Sequence, residues 1–163
     1  MADVFDAETG SGRGTVAGHS KTITTCDYRP QKPFRIVTGG EDFAVSWHEG
    51  PPFKWTATAS DHSNFVNCVR YSPDGSLFVS VAQDKTGFFY DGETGAKRGA
   101  LDLNGGHKGG IYVASWSPDG HQILTCSGDK TCKIWDVSTG KAVTSVINLF
   151  LDCFLNSSLF LSV

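Results

Sequence analysis

Short runs of alternating apolar and polar residues recur along the chain, and each run has the two-residue period of a β-strand. The clearest set lies between Gly109 and Gly140, where alternation runs through 111–115, 123–125 and 132–134. Tight turns separate these runs, because Ser-Pro-Asp-Gly at 117–120 and Gly-Asp-Lys-Thr at 128–131 are turn-forming sequences. This stretch therefore predicts short strands in close succession, and the alternation continues through a further strand at 141–146.

The same arrangement occurs three times in the chain. Aligning on His19, His62 and His107, which are 43 and 45 residues apart, brings the other landmarks into register. A proline follows each histidine by eleven residues, and a hydroxyl residue stands four positions before a turn aspartate. In that order the landmarks are Pro30, Thr38 and Asp42; Pro73, Ser80 and Asp84; and Pro118, Thr125 and Asp129.

The third unit opens with Gly106-His107 and ends with Trp135-Asp136, which resembles the blade signature of the WD-repeat class. We therefore predict an all-β fold, an incomplete WD-repeat β-propeller with three full four-stranded blades and part of a preceding one. A closed propeller has about four to eight blades. The predicted divisions are 1–17, the end of a preceding blade and strand d of the next; 18–60, blade one; 61–105, blade two; 106–146, blade three; and 147–163, a hydrophobic tail without the WD pattern.

Position-specific expectations follow from the alignment. Six residues after the aspartate stands an aromatic residue in blades two and three, Tyr90 and Trp135, whereas blade one has His48 there and Trp47 one position early. The inner polar network of blade one is therefore expected to differ from the other two.

On the first strand, the alternation predicts buried positions at Ile23, Cys26 and Tyr28 in blade one; Val66, Val69 and Tyr71 in blade two; and Ile111, Ala114 and Trp116 in blade three.

Histidine, aspartate and hydroxyl meeting in space could indicate a catalytic set, for example His62, Asp84 and Ser80. The trio recurs in every blade with Ser and Thr exchanged, which favours a structural role over catalysis. We expect the aspartate to bind the ring, the ring to bind the hydroxyl, and the hydroxyl to bind the Trp135 indole. In blade two Tyr90 takes the place of the indole. The expected network comprises His19, Thr38, Asp42, His62, Ser80, Asp84, Tyr90, His107, Thr125, Asp129 and Trp135.

Charge and cysteine content narrow the function classes. The net charge is −3 with acids and bases interspersed, so nucleic acid and anionic membranes are not expected partners. The five cysteines lack a Cys-x-x-Cys spacing, which predicts reduced thiols and no bound metal. The glycines around His107 do not have phosphate-loop spacing, so no cofactor is expected. The amino terminus does not read as a signal peptide.

The last segment, residues 147–163, departs from the repeat pattern. It is apolar, carries Asp152 as its one charge and has no glycine or proline. Three interpretations stay open: a segment foreign to the propeller that arises from an altered reading of the message, a hydrophobic cap on an exposed sheet, and a membrane anchor. Its interruptions by polar residues make it a poor bilayer span, which needs about twenty mostly apolar residues.

Three segments carry a narrower resemblance: Glu-Gly-Pro-Pro-Phe-Lys-Trp at 49–55, the run 61–75, and Ser-Gly-Asp-Lys-Thr at 127–131. Over roughly residues 1–146 the chain resembles the actin-interacting protein 1 family, WD-repeat proteins that act with cofilin to disassemble actin filaments. The resemblance implies middle blades of the first of two seven-bladed propellers, so that this chain would be a truncated form. It also implies a non-enzymatic protein of the cytoplasm and actin cytoskeleton, with actin filaments and cofilin as partners.

Three residues are candidates for contacting actin or cofilin. Glu41 lies in a turn between strands, Trp55 follows the Pro-Pro turn, and Phe65 precedes a strand, and such rigid aromatics and charges anchor many interfaces. Each of them could equally serve only local packing. The alternative function is a generic WD-repeat scaffold, such as a ubiquitin-ligase substrate receptor or a signalling adaptor.

Overall fold

The computed structural model describes residues 1–147, and these residues form fourteen β-strands with no helix among them. The strands are β1 Ala2–Phe5, β2 Gly12–Val16, β3 Ile23–Tyr28, β4 Arg35–Gly40, β5 Val45–Glu49, β6 Lys54–Ala59, β7 Val66–Tyr71, β8 Leu77–Ala82, β9 Gly87–Asp91, β10 Lys97–Ala100, β11 Ile111–Trp116, β12 Gln122–Ser127, β13 Thr131–Asp136 and β14 Ala142–Ile147. The three interpretations of the tail fall outside the described residues, apart from Ile147, which ends β14.

Each unit forms its own antiparallel sheet of four strands in chain order. Blade one contains β3 to β6, blade two β7 to β10 and blade three β11 to β14, while β1 pairs with β2 in a two-stranded sheet. We call the strands of a blade a, b, c and d in chain order. The predicted all-β fold, an incomplete propeller, is confirmed.

The Ser-Pro-Asp-Gly turns form as their composition dictates. In blade two the Gly75 N–H donates to the Ser72 carbonyl at 2.8 Å, and the Ser72 hydroxyl donates to Asp74 at 2.6 Å. Gly75 has φ +68°, a left-handed conformation that glycine adopts without steric cost. In blades two and three, strands a and b are thus joined by a turn whose conformation follows from its own residue types.

Apolar cores lie between successive sheets. The a strand of each blade contacts the a strand of the next, since β7 lies against β3 and β11 lies against β7. One core joins blades one and two, and a second joins blades two and three. A smaller core, formed by Val16, Ile36 and Phe53, joins the β1–β2 pair to blade one. Because each buried large apolar side chain stabilises by about 1.5–3 kcal/mol, adjacent blades depend on each other for stability.

The predicted buried positions on strand a hold in blades two and three and are wrong in blade one. Cys26 is exposed and Tyr28 is 43% exposed, although the aligned Val69 and Ala114 are buried. Val69 packs with blade one and Ala114 packs with blade two, so this face needs a preceding sheet. The sheet that precedes blade one has two strands among the described residues, which leaves Cys26 uncovered.

Candidate protein-interaction surface

In blade three a chain of hydrogen bonds links the loop before strand a to the b–c turn. His107 Nδ1 donates to Asp129 Oδ2 at 3.0 Å, and Thr125 Oγ1 donates to His107 Nε2 at 2.8 Å. The Trp135 indole N–H donates to the same Thr125 hydroxyl at 2.7 Å. The carboxylate only accepts, so the proton of the neutral ring lies on Nδ1 and Nε2 is the acceptor. We call this histidine–aspartate–hydroxyl unit the clasp.

The clasp recurs in blade two with one replacement. His62 Nδ1 donates to Asp84 Oδ2 at 3.1 Å, and the Ser80 hydroxyl donates to His62 Nε2 at 2.7 Å. Tyr90 lies where blade three has its indole, and its buried hydroxyl donates to Asp61 Oδ2 at 3.1 Å. Burial raises the pKa of the Tyr90 hydroxyl above its ordinary value, and a hydrogen bond with Ser80 opposes that rise.

Blade one keeps the clasp and loses the aromatic member. His19 Nδ1 binds Asp42 at 2.8 Å, and His19 Nε2 binds Thr38 at 2.9 Å. His48 pairs with Ile36 in the register, as Trp135 pairs with Ile123 in blade three, and it donates from Nε2 to the Ala17 carbonyl at 2.7 Å. The neighbouring Trp47 points to the opposite face, where it packs in the core between blades one and two.

The clasp aspartate also secures the backbone beside the histidine. In every blade the N–H of the residue after the histidine donates to the clasp carboxylate at 2.8 Å, from Ser20, Ser63 and Lys108 in turn. The carboxylate therefore fixes both the ring and the loop that carries it. This double anchoring explains why a histidine and an aspartate more than twenty residues apart recur at a nearly fixed spacing.

Ionisation states follow from burial and hydrogen bonding. Burial opposes ionisation of Asp129, but hydrogen bonds from Thr131, the Lys108 N–H and His107 outweigh it and hold the pKa of this carboxyl well below its usual range. Burial lowers the pKa of His107, against the opposing effect of Asp129. The clasp of blade three is therefore a neutral imidazole beside a carboxylate at neutral pH.

The contacts of the clasp match those of an acid–base–nucleophile set, but its hydroxyl group is not accessible to a substrate. The hydroxyl residues Thr38, Ser80 and Thr125 all have zero solvent exposure. A nucleophile has to reach the reacting atom of a substrate, and these oxygens cannot do so without the sheet opening. The clasp consequently acts as an internal tie between loop and turn.

The b–c turns and the loops before strand a form one edge of the blades, which we call the clasp rim. It consists of residues 19–22, 41–43, 62–65, 83–85, 107–110 and 128–130. Two of the three candidate contact residues lie on this rim. Glu41 begins the b–c turn of blade one, where its N–H donates to the Thr22 carbonyl at 2.9 Å, and Phe65 immediately precedes β7 with 42% exposure.

Trp55 lies elsewhere, on the outer strand β6, so the structure does not group it with the other two candidates. It is 55% exposed, its N–H donates to Thr58 at 2.9 Å, and its ring lies against Gly18. Trp55 pairs with His48 in the β5–β6 register. Ala59, four residues further along β6, pairs with Val45 beside the b–c turn. That separation is about 13 Å along the strand.

Phe43 is a rim residue that the sequence interpretation did not identify as a candidate. Its ring lies 5.7 Å from that of Phe65, so the two aromatics join blade one to blade two at the surface. The Lys21 ammonium sits over the Phe43 ring at 5.6 Å. The signal was present in the repeat alignment, since the residue after the clasp aspartate is Phe43 in blade one and lysine in the other two blades.

Other kinds of site find no support in the described part of the chain. Among residues 1–147, histidine, cysteine and carboxylate side chains do not gather in groups of three or more that could hold a metal ion. No helix of sufficient length and apolarity to cross a bilayer occurs in the same residues.

Repeated four-stranded sheets, each tied at one rim by a histidine–aspartate clasp, define a propeller protein of the WD-repeat class. The chain belongs to this family: it matches the WD domain, G-beta repeat, over residues 10–48, 53–91 and 101–136.

Within that class the chain is similar to proteins named for actin. Actin-interacting protein 1-2 of Arabidopsis thaliana is 51% identical over 112 residues, which are 69% of this chain and 18% of that protein. Actin-interacting protein 1 of Drosophila melanogaster is 49% identical over 113 residues, 69% of this chain and 18% of that protein. WD repeat-containing protein 1 of Mus musculus is 48% identical over 113 residues, 69% of this chain and 19% of that protein. The chain thus spans less than a fifth of the length of these relatives.

Proposed function

We propose that this chain binds actin filaments and, together with cofilin, promotes their disassembly at the actin cytoskeleton. The observation that carries the proposal is the identity of about one half to proteins named actin-interacting protein 1, over more than a hundred residues. The mechanism is binding rather than catalysis, which agrees with the complete burial of the three clasp hydroxyls.

Glu41, Trp55 and Phe65 are proposed to contact the filament or cofilin. Trp55 and Phe65 are large apolar side chains with substantial exposure, and exposed aromatics of this kind commonly anchor protein interfaces. Glu41 is an ionisable residue on a turn that the clasp of blade one holds in place. Because Trp55 is on the outer strand and Phe65 on the rim, the proposed contact covers both surfaces.

The test is co-sedimentation of the chain with actin filaments, in the presence and absence of cofilin. The proposal expects more chain in the pellet when cofilin is present. Phe65→Ala and Trp55→Ala should each reduce that cofilin-dependent fraction, because truncating an interface anchor costs roughly 1–4 kcal/mol of binding. Leu103→Ala is the matched control, since Leu103 is also apolar and 70% exposed but lies outside the proposed contact.

The same experiment addresses the rival function. A generic WD-repeat scaffold predicts no cofilin dependence, and a pellet fraction that ignores cofilin would therefore reject the proposed mechanism. Equal losses for Leu103→Ala and Phe65→Ala would reject the assigned residues while leaving filament binding intact.

A further inference from the structure

The clasp rim displays exposed lysine side chains that the function above does not use, while most of its carboxylates are turned inward. Within the rim residues stand four lysines, Lys21, Lys85, Lys108 and Lys130, all of them exposed. The three clasp aspartates are 7–12% exposed as side chains and are engaged in hydrogen bonds. Glu41 is the remaining acid of the rim.

The lysines are concentrated on blades two and three. Lys85, Lys108 and Lys130 form no ion pair within residues 1–147, whereas Lys97, outside the rim, binds Asp61 at 2.7 Å. Their ammonium groups are therefore available to an external acid. Net charge does not predict this, because the chain as a whole is negative at −3.

Backbone conformation supplies an independent observation about two of these lysines. Lys85 and Lys130 adopt positive φ, +72° and +68°, and so does Phe43 at the equivalent position with +69°. A residue with a Cβ incurs a steric cost in this left-handed conformation that glycine avoids. Closing the b–c turn imposes this conformation, so Phe43, Lys85 and Lys130 are displayed at the same place in the turn of each blade.

The aromatic pair adds an apolar contact at one end of the charged rim. Phe43 and Phe65 touch across the boundary between blades one and two, and Lys85, Lys108 and Lys130 follow on blades two and three. A partner segment that follows the rim would meet a partly exposed aromatic surface first and ammonium groups next. The matching chemistry is an apolar side chain followed by carboxylates.

We propose that the clasp rim binds an acidic protein segment, with an apolar side chain on the Phe43–Phe65 pair and carboxylates on Lys85, Lys108 and Lys130. This rests on the proposed function, since Phe65 belongs to both surfaces, and it names the chemistry that the partner presents there. The apolar end has one charge of each sign, Glu41 and Lys21, so the carboxylates of the segment are directed to the lysines of blades two and three.

A direct test uses a fluorescein-labelled peptide of one leucine followed by six glutamates, with binding to the purified chain measured by fluorescence anisotropy. Binding should weaken as salt is raised from about 50 to 300 mM, because exposed charge pairs are screened. Lys85→Glu/Lys130→Glu should weaken binding roughly tenfold or more. Lys32→Glu/Lys141→Glu makes the same change in net charge outside the rim and should leave binding within about twofold.

A second variant separates binding from folding. Lys85→Gly/Lys130→Gly removes the charges and relieves the positive-φ conformation, so it should raise the melting temperature while still weakening peptide binding. Equal affinity of the wild type, Lys85→Glu/Lys130→Glu and Lys32→Glu/Lys141→Glu chains would overturn the proposal. So would equal losses in the two charge-reversed chains, which would indicate a non-specific response to net charge.

Co-sedimentation distinguishes this proposal from the function on which it rests. Loss of filament binding by Lys85→Glu/Lys130→Glu, with the control pair unaffected, supports the rim as the surface that meets the filament. Unchanged filament binding by that variant overturns the rim proposal and leaves the function in place. If the wild-type chain does not sediment with actin at all, the proposed function fails and the peptide measurement decides the rim proposal alone.

Discussion

A single carboxylate in each blade connects the loop before strand a to the b–c turn. Asp129 accepts hydrogen bonds from the His107 ring, from the Lys108 backbone and from the Thr131 hydroxyl, the last at 2.6 Å. These donors come from the loop before strand a and from Thr131, the first residue of β13. Removing the carboxylate therefore leaves the buried His107 ring and two further donors without this partner, which is more costly than losing one exposed contact.

We predict that Asp129→Ala lowers the free energy of unfolding by about 1–3 kcal/mol, since it unpairs the His107 ring and a backbone N–H. Urea denaturation followed by far-UV circular dichroism measures the change. Glu93→Ala is the control, because Glu93 is an exposed turn residue. Equal unfolding curves for Asp129→Ala and the wild type would contradict the stabilising role assigned to the clasp.

The clasp also predicts how stability depends on pH. The pKa of Asp129 is lower in the folded state, so its contribution is complete well above its usual 3.8 and is lost as pH falls through the folded value. The pKa of His107 is also lowered from its usual 6.5, so its contribution is present above that pH and declines below it. Both groups have the same sign, so the free energy of unfolding should fall as pH decreases from about 7 to about 2, first through His107 and below about pH 3.8 through Asp129.

Urea midpoints at a series of pH values test this expectation. Asp129→Asn should lack the part of the decline that sets in below about pH 3.8, since that carboxylate no longer titrates. Stability that rises on acidification over this range would show that the ionisation states assigned to the clasp are wrong.

The repeat alignment predicted the contacts within the clasp but not the exposure of every strand residue. The constant offsets identified His107, Thr125 and Asp129, and the structure places these three in contact because both loop and turn have fixed lengths. The spacing between repeat landmarks carries no information on solvent exposure, however, and it did not indicate that Cys26 would be exposed. Burial at that position depends on a neighbouring sheet, which the local pattern does not encode.

At the scale of strands and turns, the a strands are tied to each other by side chains rather than by a ladder. Asp27 accepts a hydrogen bond from the Tyr71 N–H at 2.7 Å, and Thr25 accepts one from the Val69 N–H at 3.2 Å. In the next interface the Asn67 amide donates to the Ile111 carbonyl at 2.8 Å. These bonds occupy edge groups of β7 and β11 that would otherwise be unpaired.

Asp27→Ala should destabilise the junction of blades one and two by about 1–3 kcal/mol, because the Tyr71 N–H loses its acceptor. Asp27→Asn keeps an oxygen acceptor at the same place and should recover most of the loss. Thermal unfolding of the two variants beside the wild type measures the difference. If both variants unfold with the wild type, the bond between the strands contributes nothing to docking.

Local sequence is sufficient to predict the conformation of some turns and not of others. The Ser-Pro-Asp-Gly turns were predictable, since proline and glycine have fixed conformational preferences. The left-handed conformation of Phe43, Lys85 and Lys130 was not, because nothing in these side chains favours positive φ. It follows from closing a short b–c turn between paired strands, a constraint that appears once the register is known.

At the scale of the whole molecule, stability is shared between neighbours. The cores lie between blades, so a substitution in one blade acts on the next. Trp116 of blade three illustrates this: its indole donates to the Arg70 carbonyl of blade two at 3.0 Å and its ring packs against Phe89.

Trp116→Ala should therefore reduce amide protection against hydrogen exchange in β7 and β9 of blade two, as well as in β11 of its own blade. Large-to-small changes in a core of this kind cost about 3–5 kcal/mol. Val143→Ala, on the outer strand β14 with 60% exposure, serves as the control. Loss of protection confined to blade three would contradict the interdependence of the blades.

One detail of the clasp bears on how such a protein can change over evolutionary time. The position after each histidine is held through its main-chain N–H. In blades two and three the side chain there, Ser63 or Lys108, plays no part in this anchoring, whereas the Ser20 hydroxyl of blade one also donates to Asp42 at 3.4 Å. Mutation there can alter the charge displayed to the outside without disturbing the framework beneath. Substitution at Ser63 or Lys108 can therefore change what the propeller recognises while the histidine–aspartate framework is kept.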